Sequence, residues 1–190
     1  MNPFNIYLCG VGGQGIGLLC EILLRAADHA GYTAKAVDTH GLAQRGGIVV
    51  SHIRLGETVP TPLIPERTAD LVVGLERHEA LRGVQTMLRD GGTLVYDETV
   101  LQPLGVRLGT QPETSAADLD RACGLRGITL HRVVHSELAD PRMQNIAVLA
   151  AIHRLSLVPG LNAGHYLQAM DDLLAGEMLA ANIRLFQAAS

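Results

Sequence analysis

The stretch Ile6-Tyr7-Leu8-Cys9-Gly10-Val11-Gly12-Gly13-Gln14-Gly15 decides how this chain of 190 residues begins to fold. It joins a short apolar run to a G-x-G-x-x-G loop, and an amphipathic segment follows it. That order predicts a buried strand, a tight turn and a helix whose first N–H groups face the loop. Glycines at this spacing allow the backbone to approach an anionic group closely. The first unit is therefore predicted to be a strand, a glycine loop and a helix.

The glycine loop allows three interpretations. A dinucleotide site uses an acidic residue at the end of the second strand to hold ribose hydroxyls, and Asp38 occupies that place. The glycines could instead serve only the packing of the helix on the strand. The third interpretation is a phosphate-bearing ligand other than a nicotinamide cofactor, since Gly13-Gln14 stands where the dinucleotide motif has a variable pair.

Composition excludes several classes of protein. A net charge of -4, 3% aromatic residues and no Trp argue against a nucleic-acid-binding surface. Cys9, Cys20 and Cys123 are widely spaced and form no C-x-x-C motif, so we predict buried free thiols rather than disulfides, zinc ligands or iron–sulfur ligands. The sequence has neither a secretory signal pattern nor a long apolar run, and we predict a cytoplasmic protein with no membrane partner.

A second glycine-rich segment, His40-Gly41-Leu42-Ala43-Gln44-Arg45-Gly46-Gly47, follows the second predicted strand. A turn requires one or two glycines, and this segment has more. Gly46 and Gly47 would let the backbone approach a ligand, and Arg45 can offer a fork of donors to a phosphate or carboxylate. Alternatively, the segment is an ordinary loop in which Arg45 pairs with a carboxylate such as Asp38.

Strands alternate with helices along most of the chain. Predicted strands cover 5–9, 33–38, 48–55, 70–75, 93–97 and 128–134, and predicted helices cover 15–30, 78–89 and 142–157, with one or two more helices to the C-terminus. The first two strands, joined through a helix, predict a parallel pair with a right-handed crossover. The whole pattern predicts an α/β fold, a three-layer Rossmann-like sandwich with a mostly parallel sheet and a helical C-terminal region.

Two other groups of residues are candidate sites. His131 and His135 are four residues apart with Glu137 nearby, but on a strand that spacing separates them by about 13 Å, too far to share one metal ion. We therefore predict no metal site. Glu76 ends a buried strand, where a carboxylate either lines a ligand crevice or stabilises the N-terminus of the next helix.

Familiar catalytic motifs are missing from the sequence. It has no P-loop, no G-x-S-x-G, and no G-D-G with a following Asn-bearing loop for thiamine diphosphate. No Cys–His nucleophile pair can be assigned either. We therefore assign no catalytic residue to this chain, and its own residues do not indicate a complete catalyst.

Taken together, the two glycine motifs resemble the gamma-type domain of the 2-oxoacid:ferredoxin oxidoreductases. The resemblance rests on Gly10–Ile16, His40–Gly47 and Val49–Gly56, together with Ala69-Asp70-Leu71, Glu76 and Asn145. It extends over nearly the whole chain and implies a single pyruvate/ketoisovalerate oxidoreductase gamma-type domain, residues 1–190. The form of the His40–Gly47 segment favours the aryl-pyruvate branch, so the chain is most similar to the stand-alone beta subunits of indolepyruvate ferredoxin oxidoreductases.

The resemblance implies a subunit of an enzyme that oxidatively decarboxylates a 2-oxoacid with coenzyme A, giving an acyl-CoA, carbon dioxide and reduced ferredoxin. Thiamine diphosphate, magnesium and [4Fe-4S] clusters are then expected in a large partner subunit, and the isolated chain is expected to be inactive. Coenzyme A or the subunit interface is expected to contact the two glycine motifs, whose predicted binding residues are Gly10, Gly12, Gly13, Gln14, Gly15, His40, Gln44, Arg45, Gly46 and Gly47. A self-contained NAD-binding Rossmann oxidoreductase and a non-catalytic assembly module are the alternatives.

Overall fold

One six-stranded sheet organises the part of the chain that the computed structural model describes, namely residues 3–40, 47–101, 106, 108–110, 112–135, 138, 140 and 143–189. The strands are β1 (Phe4–Val11), β2 (Thr33–His40), β3 (Ile48–Gly56), β4 (Ala69–Gly74), β5 (Leu88–Asp97) and β6 (Thr129–Val133). The helices described are α1 (Ile16–His29), α2 (Arg77–Thr86), α3 (Ala116–Gly124), α4 (Gln144–Arg154), α5 (Ala163–Leu173) and α6 (Gly176–Ala189).

The strands lie in the order β2-β3-β1-β4-β5-β6. The pairs β1–β4, β4–β5 and β5–β6 are parallel, whereas β3 runs antiparallel to both of its neighbours, β1 and β2. Five of the six strands therefore point the same way. The predicted α/β class and mostly parallel sheet are confirmed.

The predicted parallel pairing of the first two strands is wrong. Strand β3 lies between β1 and β2 and bonds to both, so that Val49 is opposite Gly10 on one side and His40 on the other. Because only a short segment connects β2 to β3, the chain can return beside β2 as an antiparallel hairpin. The alternating pattern of β3 suits this place, since Ser51, Ile53 and Leu55 are fully buried on one face.

Helices cover both faces of the sheet and complete three layers. On one face, α1, α4, α5 and α6 share a core with the sheet, in which Leu19, Leu23 and Ile152 are fully buried. On the other face, α2 and α3 enclose a second core that includes Val84 and Leu119. The helical C-terminal region is confirmed, with α5 and α6 following α4.

Two local predictions differ from the structure. Helix α2 ends at Thr86, so that Leu88 begins β5 instead of continuing the predicted helix to residue 89. Helix α3 lies in a stretch for which no element was predicted. Its start is marked by a capping box, in which Ser115 Oγ accepts from the N–H of Asp118 while the Asp118 carboxylate accepts from the N–H of Ser115.

Candidate functional site

The sheet has a topological switch point between β1 and β4. Helix α1 leaves β1 toward one face of the sheet, whereas α2 leaves β4 toward the other. The chain therefore opens a crevice between the carboxyl ends of these two parallel strands, and such crevices are where open α/β sheets bind ligands. The glycine loop Gly10–Gly15 borders this crevice.

Backbone conformation explains two of the loop's glycines. Gly13 and Gly15 have φ angles of 103° and 77°, in the region that favours residues without a Cβ. Gly15 is also the N-cap residue of α1, and it has no side chain that could accept a hydrogen bond from the N–H groups of the first turn. The first N–H groups of α1 therefore lack intrahelical acceptors and provide donors for an anion or a partner surface.

Gln14 closes the inner end of the crevice. Its Nε2 donates to the carbonyl of Leu75 at 2.6 Å, and its Oε1 accepts from the N–H of Val11 at 2.7 Å. Gly10 must lack a side chain, because a Cβ there would lie 2.7 Å from Gln14 Oε1. Both polar atoms of the Gln14 amide are thus hydrogen-bonded to the protein backbone, and the side chain stabilises the loop.

Asn145, at the start of α4, supports the loop from the other side. Its Nδ2 donates to the carbonyl of Gly15 at 3.1 Å, and its side chain is almost fully buried. A Cβ on Gly15 would lie 2.5 Å from that nitrogen. The loop conformation therefore depends on contacts from β4 and α4 as well as on its own glycines.

The two glycine motifs meet in the structure. The N–H of Gly12 donates to the carbonyl of Gly47 at 2.9 Å, which joins the glycine loop to the end of the β2–β3 connection. The backbone of His40 ends β2 opposite Val49. The remaining predicted binding residues of that segment, Gln44, Arg45 and Gly46, lie outside the described residues.

Asp38 does not lie beside the glycine loop. It is on β2, which β3 separates from β1, and two strand spacings amount to about 10 Å. Asp38 is opposite Ser51 of β3, on the face that α1 covers. The acidic residue therefore lacks the position next to the loop that a dinucleotide site requires.

Glu76 and Glu79 form a buried acidic pair at the start of α2. Glu76 is fully buried and caps the helix, with Oε2 accepting from the N–H of Glu79 at 2.9 Å. Burial raises the pKa of Glu76, and it raises the pKa of Glu79 to about 7 although Arg82 lies 2.9 Å from the latter carboxylate. The structure thus favours the helix-capping interpretation of Glu76.

A second polar group, which was not predicted from the sequence, lies at the carboxyl edge of the sheet. Asp97, at the end of β5, is 1% exposed, and its Oδ2 lies 2.8 Å from Nε2 of His135. Its Oδ1 accepts from the N–H of Thr99 at 2.9 Å and also from the hydroxyl of that residue. The sequence offered one signal for this group, since Asp97 is the last residue of a predicted strand. Its histidine partner could not be identified in this way, because it is remote in sequence.

A largely apolar cleft of about 570 Å³ lies next to the glycine loop. Gly13, Gly15 and Leu18 form one side, and residues of α4, of α6 and of the stretch before α4 form the other. Met143 and Met178 are among the lining residues. The cleft opens beside the uncapped N-terminus of α1.

The cysteines are buried free thiols, as predicted. Burial raises the pKa of Cys20 to about 12 and that of Cys123 to about 11, and it also raises the pKa of Cys9. Within the described ranges, no group of three or more His, Cys, Asp or Glu side chains could hold a metal ion. No helix among those same residues has the length and apolar character needed to cross a membrane.

Comparison with known proteins gives concordant results. The sequence model of the family described as "Pyruvate ferredoxin/flavodoxin oxidoreductase" matches residues 5–190. The chain is 38% identical over 109 residues to the indolepyruvate oxidoreductase subunit IorB of Thermococcus kodakarensis, a match covering 57% of this chain and 54% of that protein. It is 30% identical over 191 residues to the IorB of Methanothermobacter thermautotrophicus, covering 97% of this chain and 94% of the relative.

A solved structure shares the fold. It is the 2-oxoglutarate:ferredoxin oxidoreductase from Magnetococcus marinus with 2-oxoglutarate, coenzyme A and succinyl-CoA bound. The TM-score is 0.75 at 18% sequence identity, and the similarity covers all of this chain but 30% of the other. A structural similarity at 18% sequence identity shows that the two proteins share a fold, and it shows no more than that.

Proposed function

Because this chain belongs to the pyruvate ferredoxin/flavodoxin oxidoreductase family, we propose that it is the gamma-type subunit of a 2-oxoacid:ferredoxin oxidoreductase. The names of its relatives favour an aryl-pyruvate such as indolepyruvate as the 2-oxoacid. The complex would oxidatively decarboxylate the 2-oxoacid, transfer the acyl group to coenzyme A and pass two electrons to ferredoxin. We further propose that residues 1–190 form one domain and that the complex is cytoplasmic.

The hydrogen bond between Gly12 and Gly47 is the observation that supports a binding role for this chain. It joins two motifs that are far apart in sequence into one surface at the carboxyl edge of the sheet. We assign coenzyme A to this surface, at the interface with the partner subunit. The relevant donors are the uncapped N–H groups at the start of α1 and the guanidinium of Arg45, whose part in the proposal rests on the sequence.

The partner is a large subunit that carries thiamine diphosphate, magnesium and [4Fe-4S] clusters, and ferredoxin is reached through it. Those groups supply the decarboxylation and electron-transfer chemistry. This chain's own residues hold the acyl acceptor: Gln14 and Asn145 keep the glycine loop in shape, and the loop presents its backbone donors. The solved relative with coenzyme A bound supports the choice of ligand.

The test uses the complex of this chain with its large subunit, assayed for arylpyruvate-dependent reduction of ferredoxin. We expect Arg45→Ala to raise the KM for coenzyme A at least tenfold, since about 1.4 kcal/mol, or one charge-assisted hydrogen bond, accounts for that factor. Arg89→Ala is the matched control, because this arginine pairs with Asp70 at the opposite, amino edge of the sheet. An unchanged KM and an intact complex in Arg45→Ala would contradict the binding assignment.

Two outcomes would favour other functions. If Arg45→Ala weakens subunit association but leaves the KM for coenzyme A unchanged in the complex that remains, the surface is an assembly interface. If the isolated chain binds NADH and Asp38→Asn abolishes that binding, the chain is a dinucleotide-binding enzyme. We do not expect the second result, because Asp38 lies two strands away from the loop.

A further inference from the structure

The apolar cleft beside the glycine loop has the size of a small-molecule site. Its volume of about 570 Å³ lies within the range of about 300–1,000 Å³ that is typical of ligand pockets. Gly15, in one wall, is also the N-cap of α1, and the facing wall includes Met143 and Met178. Met178 is 55% exposed although its thioether is apolar. The described residues therefore leave an apolar surface next to the start of α1 that a ligand can cover.

Asn182 of α6 supplies the cleft with a polar atom that has no partner. The residue lines the cleft, is 5% exposed, and donates from Nδ2 to the carbonyl of Met178 at 2.7 Å. That bond identifies Nδ2 as the donor end of the amide. Its Oδ1 accepts no hydrogen bond from any residue that the structure describes. Since Nδ2 is held against its own helix, Oδ1 is the atom that this side chain offers to the cleft, and a donor on a ligand would satisfy it.

The charges around the cleft divide its ligand into two parts. The N–H of Leu19 donates to the carbonyl of Gly15 at 3.0 Å, so the N–H groups before it in α1 have no acceptor within the helix and are donors for an anion. The lining of the cleft, by contrast, includes the carboxylates of Asp140 and Glu177, which repel a second anion. The anionic group of a ligand therefore belongs at the start of α1, and the part inside the cleft is uncharged.

The walls of the cleft favour a flat ring, because the sulfur of methionine makes favourable contacts with aromatic groups. We propose that the cleft holds an aromatic ring that carries an N–H donor, on a ligand whose anionic group lies at the start of α1. The ring packs against Met143 and Met178, and its N–H donates to Asn182 Oδ1.

Two compounds of the proposed reaction have this form, so the identity of the ligand rests on the proposed function. The adenine of coenzyme A carries an amino group and is joined to phosphates. The indole ring of an indole 2-oxoacid carries a ring N–H and is joined to a carboxylate. The two share the chemistry that the cleft recognises, and the experiment below distinguishes them.

Calorimetric titration of the complex between this chain and its large subunit tests the proposal. The adenine arm uses adenosine bisphosphate and its etheno derivative, in which an added ring takes up the amino N–H. The indole arm uses indoleacetate and its N-methylated counterpart. Asn182→Leu removes the acceptor at similar size and should weaken the true occupant by about tenfold or more, because the N–H of the ligand loses its partner. The derivative without the N–H should bind equally to wild type and Asn182→Leu.

A second variant keeps the test valid if Asn182→Leu fails to fold. Met178 is exposed, so Met178→Gln leaves the core intact, and its amide in the apolar wall should weaken the occupant several-fold. Ala180→Gln is the matched control, since this residue is exposed on the same helix and does not line the cleft. It should bind both probes as wild type does. Wild-type affinity for both probes in Asn182→Leu and Met178→Gln, or an equal loss in Ala180→Gln, overturns the proposal.

Coenzyme A itself separates this inference from the proposed function. If Arg45→Ala weakens the binding of coenzyme A while Asn182→Leu leaves both probes at wild-type affinity, only the ring site is refuted. If coenzyme A does not bind the wild-type complex, or binds Arg45→Ala equally well, the coenzyme A assignment fails, and the indole arm then decides the ring site by itself.

Discussion

Two glycines that lie two residues apart, Gly15 and Gly17, should respond in opposite ways to alanine. At Gly15 the φ angle of 77° costs an alanine about 1–2 kcal/mol. The new Cβ would also lie 2.5 Å from Asn145 Nδ2, so the bond from that nitrogen to the carbonyl of Gly15 is lost, at about 1 kcal/mol. Gly15→Ala should therefore lower the free energy of unfolding by about 2–3 kcal/mol.

Gly17 is the matched control because it is exposed within the first turn of α1 and a Cβ there meets nothing within 4 Å. Alanine is the better helix former by about 1 kcal/mol, so Gly17→Ala should raise the free energy of unfolding by up to that amount. Urea unfolding of both variants, followed by circular dichroism, measures the difference. Equal effects of the two substitutions would refute the account of the loop.

Asn145→Ala makes the test sharper. In that background no amide opposes the new Cβ, so Gly15→Ala should cost only the conformational part, about 1–2 kcal/mol. A cost of Gly15→Ala that is equal in the two backgrounds would show that the contact with Asn145 does not restrict this position.

Three further predictions concern the acidic pair, the end of β1 and the cap of α3. Burial raises the pKa of Glu79 from 4.5 to about 7, so the folded chain keeps a proton that the unfolded chain releases across that interval. The free energy of unfolding should therefore fall by up to about 3 kcal/mol between about pH 4.5 and about pH 7, and Glu79→Gln should flatten this decline in urea titrations. Gly10→Ala should lower stability by about 1–3 kcal/mol in the same assay, because Gln14, bonded at both ends, cannot move away from the new Cβ. Ser115→Ala should cost about 1 kcal/mol in thermal unfolding, and an unchanged midpoint would show that the capping box does not stabilise α3.

The sequence predicted those features that depend on neighbours along the chain. Apolar runs, glycine turns and helical periodicity are local, so the strand–loop–helix start and the α/β class were accessible. The place of β3 in the sheet could not be predicted from the sequence. Its alternating pattern shows that one face is buried but does not indicate which strands it pairs with. The start of α3 was also accessible in principle, because the capping box formed by Ser115 and Asp118 is a local signal.

The candidate site divides in the same way. The glycine loop could be located from its spacing, whereas its supports could not: Gln14 bonds to Leu75, and Asn145 reaches Gly15 across 130 positions. The Asp97–His135 pair joins residues 38 positions apart. Neither residue of each pair stands out in the sequence, because the two residues become neighbours only through the topology of the sheet.

The insertion of β3 decides what the glycine loop can bind. In a dinucleotide fold the second strand lies beside the first, and its acidic end reaches the ribose next to the loop. Here β3 takes that place, and the loop is bonded through Gly12 to Gly47, where the β2–β3 connection ends. A ligand at the start of α1 therefore meets Gly47, at the end of that connection, instead of the carboxylate of Asp38. Without the Asp38 carboxylate beside it, the start of α1 offers backbone N–H donors to an anionic ligand and no β2 carboxylate to a ribose hydroxyl pair.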